Sequence, residues 1–318
     1  MKVSKVVIWL SSLIVGLALI ATAVGLLNPS HRSAFSFTTV RGITVQIYGQ
    51  GSYQLDTPIV AVGFMAADLV TLVVAIPLLV ISTLLYRRGS LKGGLLLSGA
   101  LAYFLYNYGS LAFGSAYNNL FLVYVAIFSA SLFGLIVVLT SFDVAALPAR
   151  YSPRLPRRAI SLFLIISGVI LMLVWLVLSI LPALFQGTAP LEAAYYTTFI
   201  TGVIDIGIVA PALIAAGVLL RRRAPIGYLL APMLLVFTVT LGVNLTVAGI
   251  AQLATGVMSI GQALGFTVPF VILTVIAIGL TVSLFRNFSE PVDGEVLVGF
   301  QLRLTSTGIK KAARHAHR

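Results

Sequence analysis

Two carboxylates stand where carboxylates are costly. Asp68 and Asp205 are the only acidic residues inside long apolar runs, and no Lys, Arg or His shares those runs with them. A charged side chain at the centre of a membrane helix costs about 2.5–3.5 kcal/mol on insertion scales. Each acid therefore has to face other helices or water, and each either takes up a proton or pairs with a cation. Those are the properties of a proton-coupling or cation-binding group. The competing role is structural: a protonated Asp bonded to Asn or Tyr makes an interhelical clamp, worth about 0.6 kcal/mol on average.

Partners for the acids lie in neighbouring runs. Tyr103, Tyr106, Asn107 and Ser110 recur at i, i+3, i+4 and i+7, which is one face of a helix. Counting 1.5 Å per residue puts both acids roughly 10 to 14 Å inside their runs, and Asn107 and Asn244 fall at about that depth. The candidate ligand- or proton-binding set is Asp68, Asp205, Asn107, Asn244, Tyr103 and Tyr106. Tyr117, Asn118, Asn119, Tyr124, Tyr195 and Tyr196 lie near a boundary and read as interfacial anchors.

Other chemistry is thinly represented. There is no P-loop, HExxH or GxSxG, and no nucleophile and base stand together, so an enzyme is not indicated and no catalytic residue is assigned. With no Cys there are no disulfides, thiolate metal sites or iron–sulfur clusters. His31, His315 and His317 all fall outside the apolar runs, against an intramembrane bis-histidine haem. One carboxylate per run is too few ligands for Mg²⁺ or Zn²⁺, so neither a metal nor a cofactor is expected.

The elements that must position these residues are membrane helices. Of 318 residues, 59% are hydrophobic and 9% charged, with a mean hydropathy of +1.09. Ordinary globular chains carry about 25% charged residues, so a soluble enzyme is excluded. The net charge of +12 does not signal nucleic acid, because the basic residues cluster at the ends of apolar runs, where they anchor helices. Runs of helical length cover about 6–27, 59–86, 93–113, 120–140, 160–184, 198–220, 226–253 and 259–285. At roughly 20 residues per crossing this is an all-α polytopic membrane protein of about eight spans over residues 1–285, with a basic tail over 286–318. The first run is too long for a signal h-region and reads as a retained helix.

Sidedness follows from the basic residues. All of the Lys and Arg except Arg32 and Arg41 fall on the face that holds both termini. The positive-inside rule makes that face cytoplasmic in a plasma membrane, with lipids as the expected surroundings. The tail 286–318 reads as a strand over 296–304 and then a basic stretch from Lys310 that meets anionic headgroups.

The chain also reads as a tandem repeat of four helices. Pro77, Arg87 and Gly93 recur as Pro211, Arg221 and Gly227 at the same intervals, while Asp68 and Asp205 precede their prolines by nine and six residues. An even repeat keeps one orientation and gives parallel halves around an axis along the membrane normal. Between the first two runs, residues 28–58 contain alternating Ile43, Val45 and Ile47, a Gly49–Gly51 break and then Tyr53–Leu55, which predicts a small outer β-hairpin. Gly261 and Gly265 form a small-xxx-small pair suited to close helix approach. The functional expectation is a carrier for a small solute or cation with protonatable intramembrane acids. The alternative is a non-transporting scaffold or accessory subunit, whose protein partner the sequence does not specify.

Overall fold

The computed structural model describes residues 1–30, 32–190, 193 and 195–290. Eight long helices account for most of it: α1 (Lys5–Leu27), α2 (Pro58–Arg87), α3 (Leu91–Gly114), α4 (Phe121–Thr140), α5 (Arg157–Phe185), α6 (Ile200–Arg221), α7 (Gly227–Ala254) and α8 (Ile260–Arg286). Each begins and ends within three residues of an expected run. Seven are long and apolar enough to cross a membrane; α3 is the exception. Tyr103, Tyr106, Asn107 and Tyr108 lower its apolar content, and it tolerates them because most of its length is buried against other helices. The strand expected within 296–304 and the basic stretch 310–318 lie outside the described residues.

Helix ends gather on two faces. On one, the N–H of Lys2 bonds to Ser141, Tyr86 meets Lys2 and Ser4, and Ser152 bonds to Asn287. Glu290 caps α3 there: its carboxylate accepts from the N–H groups of Leu91 and Lys92 at 3.0 and 2.8 Å, and from the Ser90 hydroxyl at 2.6 Å. A carboxylate at a helix N-terminus satisfies orphan donors and complements the macrodipole. This is the basic face. At the opposite end of α3 the N–H of Ala116 bonds to Asp56, so α3 runs from one face to the other. Its 24 residues span about 36 Å at 1.5 Å each.

The second face carries a hairpin of β1 (Phe35–Thr38) and β2 (Thr44–Ile47), antiparallel, with Phe35 opposite Ile47 and Thr38 opposite Thr44. The hairpin is where the alternation places it, but its partner strand is upstream and not Tyr53–Leu55. Gly42, at φ +76°, supplies the turn into β2, whereas Gly49 and Gly51, at +77° and +63°, fold the following chain downward and bury Tyr53.

Packing centres on α3 and α7. α1 lies on α2 and α4, α2 on α3, and α3 on α4; α5 lies on α6, α6 on α7, and α7 on α8. The two groups of four meet where α3 and α2 pack on α7 and α6 touches α3. Small residues bring the helices close: a Cβ on Gly99 of α3 would lie 2.5 Å from Val236, and one on Gly168 of α5 would lie 2.7 Å from the carbonyl oxygen of Ala210. Gly261 and Gly265 have open space around them, which corrects their expected role; α7 supplies the close approach to α8 through Gly242 and Gly249, under Thr274 and Thr267. α8 is the peripheral element, with 17% of its apolar window buried against 56% for α7. Exposed Trp9, Leu178 and Phe185 continue an apolar exterior that suits lipid and not water.

Three helices widen into π turns, at Thr71–Ala75, Leu176–Ile180 and Asp205–Val209. Each lies just ahead of a proline: Pro77, Pro182 or Pro211. Proline offers no N–H and its ring crowds the carbonyl four residues back, so the preceding turn closes instead on the fifth residue. The N–H groups of Ile76, Leu181 and Ala210 accordingly bond to the carbonyls of Thr71, Leu176 and Asp205.

Candidate functional site

Asp68 belongs to a closed cluster within the first four helices. It is fully buried, and its Oδ2 accepts a 2.7 Å hydrogen bond from the hydroxyl of Tyr53. Tyr53 comes from the segment after the hairpin, which the two glycine bends push between the helix ends. The Tyr124 hydroxyl of α4 donates to Tyr53 at 3.5 Å, and Gly25 of α1 leaves the room that Asp68 occupies. A Cβ at Gly25 would stand 1.9 Å from Oδ2. Oδ1 has no hydrogen-bond partner among the described residues.

Asp205 sits elsewhere, at the seam between the two groups of helices. It is 4% exposed and opens the π turn of α6. Its Oδ2 accepts from the indole N–H of Trp175 at 2.8 Å, across the α5–α6 contact. Tyr106 of α3, from the other group of helices, interacts with the same carboxylate through its hydroxyl, and packs its ring edge-on against Phe237 of α7 at 5.6 Å. Oδ1 of Asp205 is buried without a hydrogen-bond partner among the described residues, as Oδ1 of Asp68 is.

The remaining expected residues divide between these places. Tyr103 and Asn107 meet at Thr71: the Tyr103 and Thr71 hydroxyls are 3.2 Å apart, and the Asn107 amide donates to Thr71 at 3.4 Å. Tyr106 joins Asp205. Asn244 is buried in α7 and bonds to neither acid. The two acids therefore do not share one hydrogen-bonded set; each has its own aromatic donor.

A third buried acid lies outside the helices. Asp56 has no exposed surface, and its Oδ1 accepts from the N–H of Ala116 at 2.8 Å and from the Tyr196 hydroxyl at 2.7 Å. Burial outweighs both hydrogen bonds and pushes its carboxyl up to about 6. Next to it Tyr195 donates to the carbonyl of Leu55, and Arg41 donates to the carbonyls of Tyr196 and Thr197. The segment between α5 and α6 is thus tied to the hairpin and to the α3–α4 turn. Tyr124 and Tyr196, expected as anchors at the lipid boundary, also take part in hydrogen bonding there: Tyr124 is buried beside Tyr53, and the half-buried Tyr196 bonds to Asp56.

Sequence reasoning overlooked Tyr53, Trp175 and Asp56. Signals existed for two of them: Gly49 and Gly51 flank the approach to Tyr53, and Trp175 is one of only two Trp, placed inside a run. Among the described residues no group of His, Cys, Asp or Glu could hold a metal ion. Comparison with family models, curated proteins and solved structures yields no match.

Proposed function

We propose that the chain is an eight-span carrier of a small solute or cation, in which Asp205 is the protonatable or cation-binding group. The observation that carries the reading is the position of that carboxyl. Side chains from both groups of helices, Trp175 of α5 and Tyr106 of α3, act on it, and one oxygen has no hydrogen-bond partner among the described residues. Gaining or losing a proton there alters the contact between the two groups. The π turn beneath it supports the reading, since such turns recur at functional sites and give a helix a place to bend.

Supporting the eight crossings, α3 reaches both faces although its hydropathy alone does not mark it as a span. The repeat is supported by matched detail beyond the prolines. Gly93 and Gly227 each begin a helix pressed on the preceding one, against Leu85–Tyr86 and Leu219–Leu220. The distribution of Lys and Arg supports a cell membrane with the basic face and both termini cytoplasmic.

Asp68 favours a second reading for its own surroundings. Walled in by Tyr53, Tyr124 and Gly25, it has the form of a clamp, which is what a non-transporting scaffold would also contain. Proteoliposomes loaded with a pH-sensitive dye and challenged with a panel of small cations and neutral solutes separate the readings. Asp205→Asn is expected to abolish proton-linked flux while Asp68→Asn, where it folds, retains it. A folded Asp205→Asn protein with unchanged flux would discard the carrier mechanism, as would wild-type protein inert to the whole panel.

A further inference from the structure

On the basic face, Arg157, Arg158, Arg221 and Arg223 line a cleft of about 420 Å³ between the start of α5 and the end of α6, and among the described residues no acidic side chain lines it. We propose that this cleft binds a phosphate-bearing anion, either the headgroup of an anionic lipid or a soluble phosphate. The proposal is independent of whether Asp205 carries protons.

The first argument is conformational. Arg223 has φ +59° and is the only non-glycine residue with positive φ among the described residues. The corresponding turn after α2 is made by Gly89, at φ +83°, which takes this conformation without a clash. The two turns are otherwise alike: the N–H of Gly89 bonds to Tyr86 and that of Arg223 to Leu220. An arginine therefore occupies a glycine position at a steric cost, and its side chain lines the cleft.

The second argument is one of contrast. The corner at the end of α2 is filled: the buried Tyr86 hydroxyl accepts from the N–H of Ser4 at 2.9 Å and donates to the carbonyl of Lys2 at 3.3 Å. At the end of α6 the same corner stays open as the cleft. Arg157 is already positioned, since its guanidinium donates to the Tyr228 hydroxyl of α7 at 3.2 Å.

Chemistry then names the ligand. Guanidinium groups present paired donors that match phosphate oxygens, and Arg157 opens α5, whose N-terminal dipole also favours an anion. The helices turn apolar at Ile160 and stop at Arg221, so the cleft opens at headgroup depth, where basic pockets between helices hold phosphate headgroups.

The test uses full-length protein in a neutral detergent, with dioctanoyl phosphatidylglycerol, dioctanoyl phosphatidylcholine and inorganic pyrophosphate as probes and thermal stability as the readout. The anionic probes are expected to raise the Tm of the wild type, and phosphatidylcholine to leave it unmoved. Arg158→Gln/Arg223→Gln should weaken the response at least about tenfold. Arg87→Gln/Arg88→Gln, which removes the same charge from the matching corner, should retain it. Arg223→Gly should fold at least as stably as wild type yet respond more weakly, which keeps the test decisive if the double variant fails to fold. A response to the lipid alone identifies a headgroup site; a response to pyrophosphate identifies a soluble one. No anion response in the wild type, equal loss in both double variants, or full response in Arg223→Gly would overturn the proposal.

Discussion

Thr71 and Asp205 hold the same place in their helices. Each opens a π turn whose carbonyl accepts from the residue just ahead of the proline, Ile76 before Pro77 and Ala210 before Pro211. Asp205 thus matches Thr71, and Asp68 lies three residues earlier. That difference explains why the acids have different surroundings. Thr71 meets Tyr103 and Asn107 of the next helix, but the residues of α7 at the same intervals after Pro211 are Phe237 and Leu241, which offer no polar group. The donor to Asp205 has to come from elsewhere, and Trp175 supplies it, with the Tyr106 hydroxyl interacting with the same carboxylate.

The seat of Asp68 predicts a strong coupling with Gly25. In Gly25→Ala the new methyl would meet Oδ2 at 1.9 Å and drive the carboxyl away from Tyr53, leaving a buried hydroxyl unsatisfied. The expected loss is about 1–3 kcal/mol from the hydroxyl, with overpacking added to it. In an Asp68→Ala background the same methyl has room and should cost far less. Unfolding of both single variants and the double in one detergent measures the coupling, expected to exceed about 1 kcal/mol. Additive losses would show that Gly25 does not make room for the acid.

Asp56 predicts a pH dependence on the hairpin face. Its folded value, about 6, lies above the ordinary 3.8. Its contribution to stability is fully present below 3.8 and is lost as pH rises through about 6, because ionisation strands a charge among Ala116, Tyr196, Tyr195 and Tyr124. The attachment of the α5–α6 segment should therefore loosen between roughly pH 4 and 6, the interval between the two values. Protection of the amides over 195–199, taken relative to their intrinsic exchange at each pH, should fall across that window in the wild type and not in Asp56→Asn. The same profile in both proteins would remove Asp56 as the cause.

Glu290 predicts a local effect on α3. Its carboxylate accepts three hydrogen bonds at the start of that helix, so Glu290→Ala should cost about 1 kcal/mol and Glu290→Gln less. Exchange should quicken at Leu91 and Lys92 and stay unchanged at the α7 start. Unaltered exchange at both amides would mean that another group caps α3.

The helices, their boundaries and the hairpin were legible because burial in lipid demands long apolar runs and a half-buried strand alternates. The acids were legible for the same reason, as departures from that rule. Their partners were not. Tyr53 enters from a connecting segment through glycine bends, and Tyr106 reaches Asp205 across the contact between groups of helices; neither relation leaves a periodic trace along the chain. The Asp-to-Pro intervals of nine and six did hold the clue that the acids are not counterparts, but the meaning of six appears only when each proline is seen to set a π turn.

If proline sets that turn, then removing it should move Asp205 relative to Trp175. Pro211→Ala restores an N–H at position 211 and relieves the crowding of the carbonyl four residues back, so α6 can close as an ordinary helix. Losing the extra residue of a π turn changes the rotation of everything before it, by about 100° per residue, and carries Asp205 off the indole. Trp175 reports on this directly in a Trp9→Phe background, since Trp9 is the other Trp and is 76% exposed. Pro211→Ala should shift Trp175 emission as Asp205→Asn does, and remove any dependence of that emission on pH. Pro77→Ala should leave it unchanged, because Thr71 and its partners make no hydrogen bond with Trp175. An unshifted spectrum in Pro211→Ala would mean that helix packing at Gly168, and not the proline, holds the carboxyl against the indole.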